Sequence, residues 1–129
     1  MTKEIWNILQ EGYDNTGKVK KIKLQSLQRQ YELLGMEEQE YVVDYIGRIQ
    51  MVVNAMRACD KVVKDKKIME KILRTLTPQY DHIVVAIEER KSVEDMKVEE
   101  LQNSLEAHEQ RLLERKKTKN ETGLNQALQ

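Results

Sequence analysis

The stretch from Glu40 to Cys59 constrains this chain more than any other. On a helix of about 3.6 residues per turn, Val42, Tyr45, Ile46, Ile49, Val52, Val53 and Met56 fall on one continuous stripe. Asp44, Gly47, Arg48, Gln50 and Asn54 take the opposite side. One face is therefore built for a core and the other for water. The filling must be aliphatic: the chain contains no Phe, and aromatic residues make up 5% of it.

The chain has 129 residues, which suits one domain with appendages. Its 22 basic and 22 acidic side chains cancel, so attraction to nucleic acid or an anionic membrane has to be local. A single Cys, Cys59, excludes an internal disulfide and a multi-cysteine zinc site. No apolar run approaches the roughly 20 residues that span a bilayer, and Met1 to Gln10 has neither the basic nor the apolar part of a secretory leader. The expectation is a soluble, cytoplasmic chain with no membrane partner.

The periodicity predicts about six helices, five of them sharing a core. Thr2 caps a short one ending near Tyr13, striped by Ile5, Trp6, Leu9 and Tyr13, and the turn residues Asp14-Asn15-Thr16-Gly17 end it. The second, Lys18 to Leu34, is apolar on two sides: Leu24, Leu27, Tyr31 and Leu34 on one, Val19, Ile22 and Leu33 on the other. Such a helix is expected between two neighbours, with Trp6 and Leu9 as a docking knob and Val19 and Ile22 as its receiver, in this chain or a second one. After the organising helix, Asp65 caps a helix striped by Ile68, Met69, Ile72, Leu73 and Leu76. Thr77-Pro78 starts another, with Tyr80, Ile83, Val84 and Ile87 inward. A polar connection from Arg90 to Lys97 leads to the last, Val98 to about Lys117, whose buried face is Val98, Leu101, Leu105, His108 and Leu112. No alternating segment argues for a strand. The expected organisation is an N-terminal helix over 1–16, a helical domain over 17–117 and a mobile tail over 118–129.

Taken in order, these segments resemble the Gag polyprotein of copia-type LTR retrotransposons, particularly plant ones. The resemblance is carried by Glu4-Ile-Trp-Asn-Ile-Leu-Gln, Lys21-Ile-Lys-Leu-Gln-Ser-Leu, Tyr31-Glu-Leu-Leu-Gly-Met, Val43-Asp-Tyr-Ile-Gly-Arg-Ile, Lys71-Ile-Leu-Arg-Thr-Leu-Thr-Pro, Tyr80-Asp-His-Ile-Val-Val-Ala-Ile-Glu-Glu and Val98-Glu-Glu-Leu. It implies an all-α fold similar to the retroviral capsid C-terminal domain, with an extra N-terminal helix. It also implies that Glu40 to Ile49 corresponds to the capsid major homology region, with Glu40, Asp44, Tyr45 and Arg48 as its hydrogen-bonded network. Lys66 and Lys67 stand where retroviral capsids carry large apolar dimer contacts, so a dimer surface of this chain is expected elsewhere. The implied function is a structural Gag or capsid-like protein that self-associates into dimers or virus-like particles. The alternative is a domesticated Gag fragment acting as a protein-interaction adaptor.

Neither reading requires an enzyme, a cofactor or a metal. His82 and His108 have no second His or Cys at ligand spacing, and no nucleophile elbow, phosphate loop or retroelement protease motif is present. Cys59 reads as a small filler. The family's zinc knuckle is absent. Lys18, Lys20, Lys21 and Lys23 form a basic run that could touch RNA phosphates weakly, although without interleaved aromatics a solvated helix face is the plainer reading.

Overall fold

A computed structural model of the chain describes residues 2–90 and 95–128, with side chains described through residue 123. It is all-α: α1 (Lys3–Leu33), α2 (Val42–Ala58), α3 (Asp65–Thr75), a 3-10 turn (Pro78–Tyr80), α4 (Asp81–Glu89) and α5 (Val98–Leu128), with no strand among the described residues. The helices form two compact units. One comprises Met1–Leu34 with Ile49–Val63, the other Gly35–Arg48 with Lys64–Gln129.

In the first unit Tyr31 of α1 is buried and Leu24 and Leu27 on the same side are half-buried, whereas residues 2–23 are exposed throughout. Ile49, Val53 and Met56 of α2 are buried and Val52 is half-buried, as the stripe demands. Helix α2 ends in a hydrogen-bonded stop. The Lys61 amide donates to the Met56 carbonyl at 3.1 Å and the Asp60 amide to the Arg57 carbonyl at 3.0 Å, the two bonds of a Schellman motif. Asp60 takes the left-handed position that motif needs, at φ 67°. It also pairs with Lys20 at 3.2 Å.

In the second unit Val42, Tyr45 and Ile46 of α2, Ile68, Met69, Ile72 and Leu73 of α3, Tyr80, Ile87 of α4, and Val98, Leu101 and Leu105 of α5 are buried. Asp65 is the first residue of α3, and Lys64 takes the cap position before it. Pro78 starts the 3-10 turn from which α4 continues, so the helix start expected at Thr77-Pro78 is present, two-stepped. Ile83 and Val84 are half-buried rather than fully inward. Of the polar connection from Arg90 to Lys97, residues 91–94 lie outside the described residues.

Two expectations about helix ends are corrected. The turn at Asp14-Asn15-Thr16-Gly17 does not form, and α1 runs unbroken for 31 residues. Turn-prone residues cost only up to about 1 kcal/mol each inside a helix, and each position of an existing helix adds a backbone bond. Thr16 accommodates by turning its hydroxyl back onto the Gly12 carbonyl at 2.8 Å. One consequence is that Trp6 and Val19 lie on the same rod, roughly 20 Å apart along the axis. The knob and its receiver cannot meet within one chain. At the other end α5 continues to Leu128, where the sequence predicts a mobile tail from Thr118. Residues 118–123 are all exposed, but tail residues other than Gly123 tolerate a helix already propagating.

Candidate functional site

The segment before α2 turns tightly and is pinned by a single arginine. The Glu40 amide donates to the Glu37 carbonyl at 3.1 Å and the Glu37 amide donates to Glu40 Oε1 at 3.1 Å, closing a reciprocal turn. From within α2, Arg48 reaches back with a two-point bond to the same carboxylate, Nε to Oε2 at 2.7 Å and Nη2 to Oε1 at 2.6 Å. Its Nη2 also donates to the Gly35 carbonyl at 2.9 Å. The guanidinium lies 5.2 Å from the centre of the Tyr45 ring.

Tyr45 continues the network inward. Its hydroxyl meets Thr75 Oγ1, and because Thr75 donates its only hydroxyl proton to the Lys71 carbonyl at 2.6 Å, Tyr45 is the donor of that bond. Burial pushes the Tyr45 phenol up from its ordinary 10.0, outweighing the opposing pull of the Arg48 charge. The Met36 amide donates to the Thr75 carbonyl at 3.1 Å, so the end of α3 is tied to the segment ahead of α2 as well.

Of the four residues expected in this network, Glu40, Tyr45 and Arg48 are joined. Asp44 is not: it stands exposed on the first turn of α2, and Arg48 bonds Glu40 instead. One-turn spacing along a helix sets Asp44 within reach of both, but Glu40 lies before the helix, where its backbone curls and delivers the carboxylate to Arg48 directly.

A second anchor joins residues far apart in the sequence, and no motif marks it. Glu109 Oε2 accepts from the Val42 amide at 2.7 Å and from the Tyr80 hydroxyl at 3.1 Å, so a carboxylate on α5 caps the start of α2. The Tyr80 phenol is driven strongly upward, first by burial, then by the Glu109 charge and its hydrogen bond. His108 stacks at a tilt on Tyr80, ring centres 5.8 Å apart, with Nε2 3.4 Å from the Gln79 carbonyl. His82 is exposed. A shallow cleft of about 220 Å³ runs between Glu40 and Tyr80 and is bordered by Glu109 and Lys116.

The remaining candidates lie on α1. Trp6, Leu9, Val19 and Ile22 are all exposed, at 59%, 55%, 49% and 66%. Lys18, Lys20, Lys21 and Lys23 are exposed too, but helical spacing sets Lys18 and Lys21 on one side and Lys20 and Lys23 on the other, so they do not form one phosphate-tracking strip. Lys20 and Lys23 border an open groove of about 510 Å³ floored by Leu27, Ala55, Ala58 and the half-buried Cys59. Lys66 and Lys67 are exposed at the start of α3. Among the described residues no cluster of His, Cys, Asp and Glu could hold a metal ion, and no helix is long and apolar enough to cross a membrane.

The Glu40–Arg48 bond carries a pH signature. The hydrogen bond from Arg48 holds the Glu40 carboxyl below the ordinary 4.5, outweighing the upward push of partial burial. A depressed carboxylate contributes stability that is complete above its unfolded value and disappears as pH falls through its folded one. Glu40→Gln is therefore expected to flatten the acid limb of the stability–pH curve below about pH 4.5 while lowering stability at pH 7. Because Arg48 is 39% exposed, the loss at pH 7 is screened to about 1 kcal/mol, read from urea midpoints across the acid range and at neutrality.

Among families of known proteins, the one described as gag-polypeptide of LTR copia-type matches residues 1–119. No curated protein matches, and no solved structure does.

Proposed function

The chain belongs to the gag polypeptides of LTR copia-type elements, and on that premise we propose that it is a structural Gag protein that self-associates in the cytoplasm as a capsid-like building block. Family membership over residues 1–119 carries this reading. The exposed half of α1 supports it. There Ile5, Trp6, Leu9 and Tyr13 face one side and Ile8, Val19 and Ile22 the other. Large apolar groups left in water on two sides of one helix give each copy more than one surface to share, which an assembly larger than a closed dimer requires. The network around Arg48 then serves mechanically, holding the start of α2 and the end of α3 in one fixed arrangement so that every copy presents the same shape.

Trp6→Ala is expected to weaken association tenfold or more, at about 2 kcal/mol for an aromatic anchor, while leaving helicity unchanged because Trp6 is exposed within the chain. Light scattering against concentration, with circular dichroism on the same samples, reads both. A chain that stays monomeric at millimolar concentration sinks the assembly reading and leaves the interaction adaptor in its place. Unchanged association of the variant would remove Trp6 from the contact.

A further inference from the structure

Within the exposed part of α1, Ile8, Asn15 and Ile22 recur at seven-residue intervals, and so do Gly12 and Val19. That spacing sets all five on one side of the helix, facing away from Leu24, Leu27 and Tyr31. Ile8, Val19 and Ile22 are 68%, 49% and 66% exposed. Gly12 sits in the helix interior without a positive φ, and no atom lies within 4 Å of where a Cβ would stand, so the chain itself gives no reason for a residue that disfavours helix. Charge is divided along the same segment. Lys3, Glu4, Glu11 and Asp14 come first, net acidic, then Lys18, Lys20, Lys21 and Lys23.

We propose that this side of α1 binds the same side of a second copy, the two helices running antiparallel about a twofold axis beside Asn15. The proposal rests on the self-association argued above and names its surface. Antiparallel, each Ile8 meets Ile22 of the second copy, Val19 settles over the notch left by Gly12, and Asn15 faces Asn15 across the axis. A polar residue at such a position fixes register. Glu11 and Lys18 share one edge of the seam, so each Glu11 lies beside Lys18 of the other copy, twice in a symmetric pair. Parallel pairing in register would instead bring Lys18 on one edge of the seam beside Lys23 on the facing edge of the other copy, a repulsion in place of the attraction. Val19 and Ile22 thus receive Ile8 rather than Trp6, which leaves the Trp6 side for a different neighbour. With so few large groups in the seam the contact is weak and salt-sensitive, suited to a lattice in which many such contacts add.

Sedimentation equilibrium of the full chain, from micromolar to millimolar and at low and moderate salt, provides the test. Wild type is expected to dimerise with concentration and less so at higher salt. Lys18→Glu turns two attractions into repulsions and is expected to loosen the dimer about fivefold to thirtyfold, with Glu11→Lys in the same chain restoring it. Gly12→Leu keeps the helix but fills the notch, so dimer should be lost with circular dichroism unchanged. Orientation is read separately: in a Cys59→Ser background, Ile8→Cys and Ile22→Cys chains mixed under mild oxidation should form mostly the mixed disulfide. Predominant homodisulfides, or a failed charge-swap rescue, overturn this surface while wild-type association stands. Wild type that remains monomeric to millimolar concentration overturns self-association itself.

Discussion

Tyr45→Ala is expected to lower the free energy of unfolding by about 3–5 kcal/mol, the range for truncating a buried aromatic. The side chain is 0% exposed and among the largest fully buried groups in the chain. Removing it opens a cavity, and it strips the ring from beneath the Arg48 guanidinium and the hydroxyl from Thr75. Tyr45→Phe separates these effects. Filling the space but losing the donated bond, it should cost about 0.5–1.5 kcal/mol, since Thr75 keeps its bond to the Lys71 carbonyl. For a chain of this size, with total stability of roughly 6–19 kcal/mol, the alanine variant forfeits a large share and the phenylalanine variant does not. Urea unfolding at pH 7 distinguishes them. Equal losses from the two variants would mean that the hydroxyl, not the packing of the ring, dominates at this position.

That Tyr45 is central is legible from the sequence because its burial follows from a local period. The α2 stripe, the α3 stripe and the helix start at Pro78 are of the same kind: the residues that decide them lie within a few turns of one another. The helix through Asp14-Asn15-Thr16-Gly17 is not legible, because there local preference and the momentum of an established helix oppose each other by comparable amounts. The network around Arg48 is legible only in part. Its members are close in sequence, yet which carboxylate Arg48 takes depends on how the backbone before α2 curls, and that curl is closed by the Glu37 amide rather than by any side-chain pattern.

Glu109 shows the other limit, and its removal should have the second-largest effect. It is separated from Val42 by 67 residues, so no local rule pairs them. A faint signal exists: Glu109 follows Leu105 by four residues and precedes Leu112 by three, so a helix that buries both must bring that carboxylate to the edge of the core. Val42 and Tyr80 are 0% and 1% exposed, and water cannot readily replace the acceptor they share. Glu109→Ala is accordingly expected to cost about 2–4 kcal/mol, the sum of two stranded donors and a lost charge at a helix start. Glu109→Gln keeps an acceptor oxygen without the charge and should cost about 1–2 kcal/mol. The pair Glu109→Ala and Tyr80→Phe, made singly and together, gives the decisive number. Because Tyr80→Phe removes one of the two donors, the double variant should be less destabilised than the sum of the single ones by about 1 kcal/mol. Strict additivity would instead mean that the carboxylate acts on α2 alone, and that Tyr80 is held by its burial rather than by Glu109.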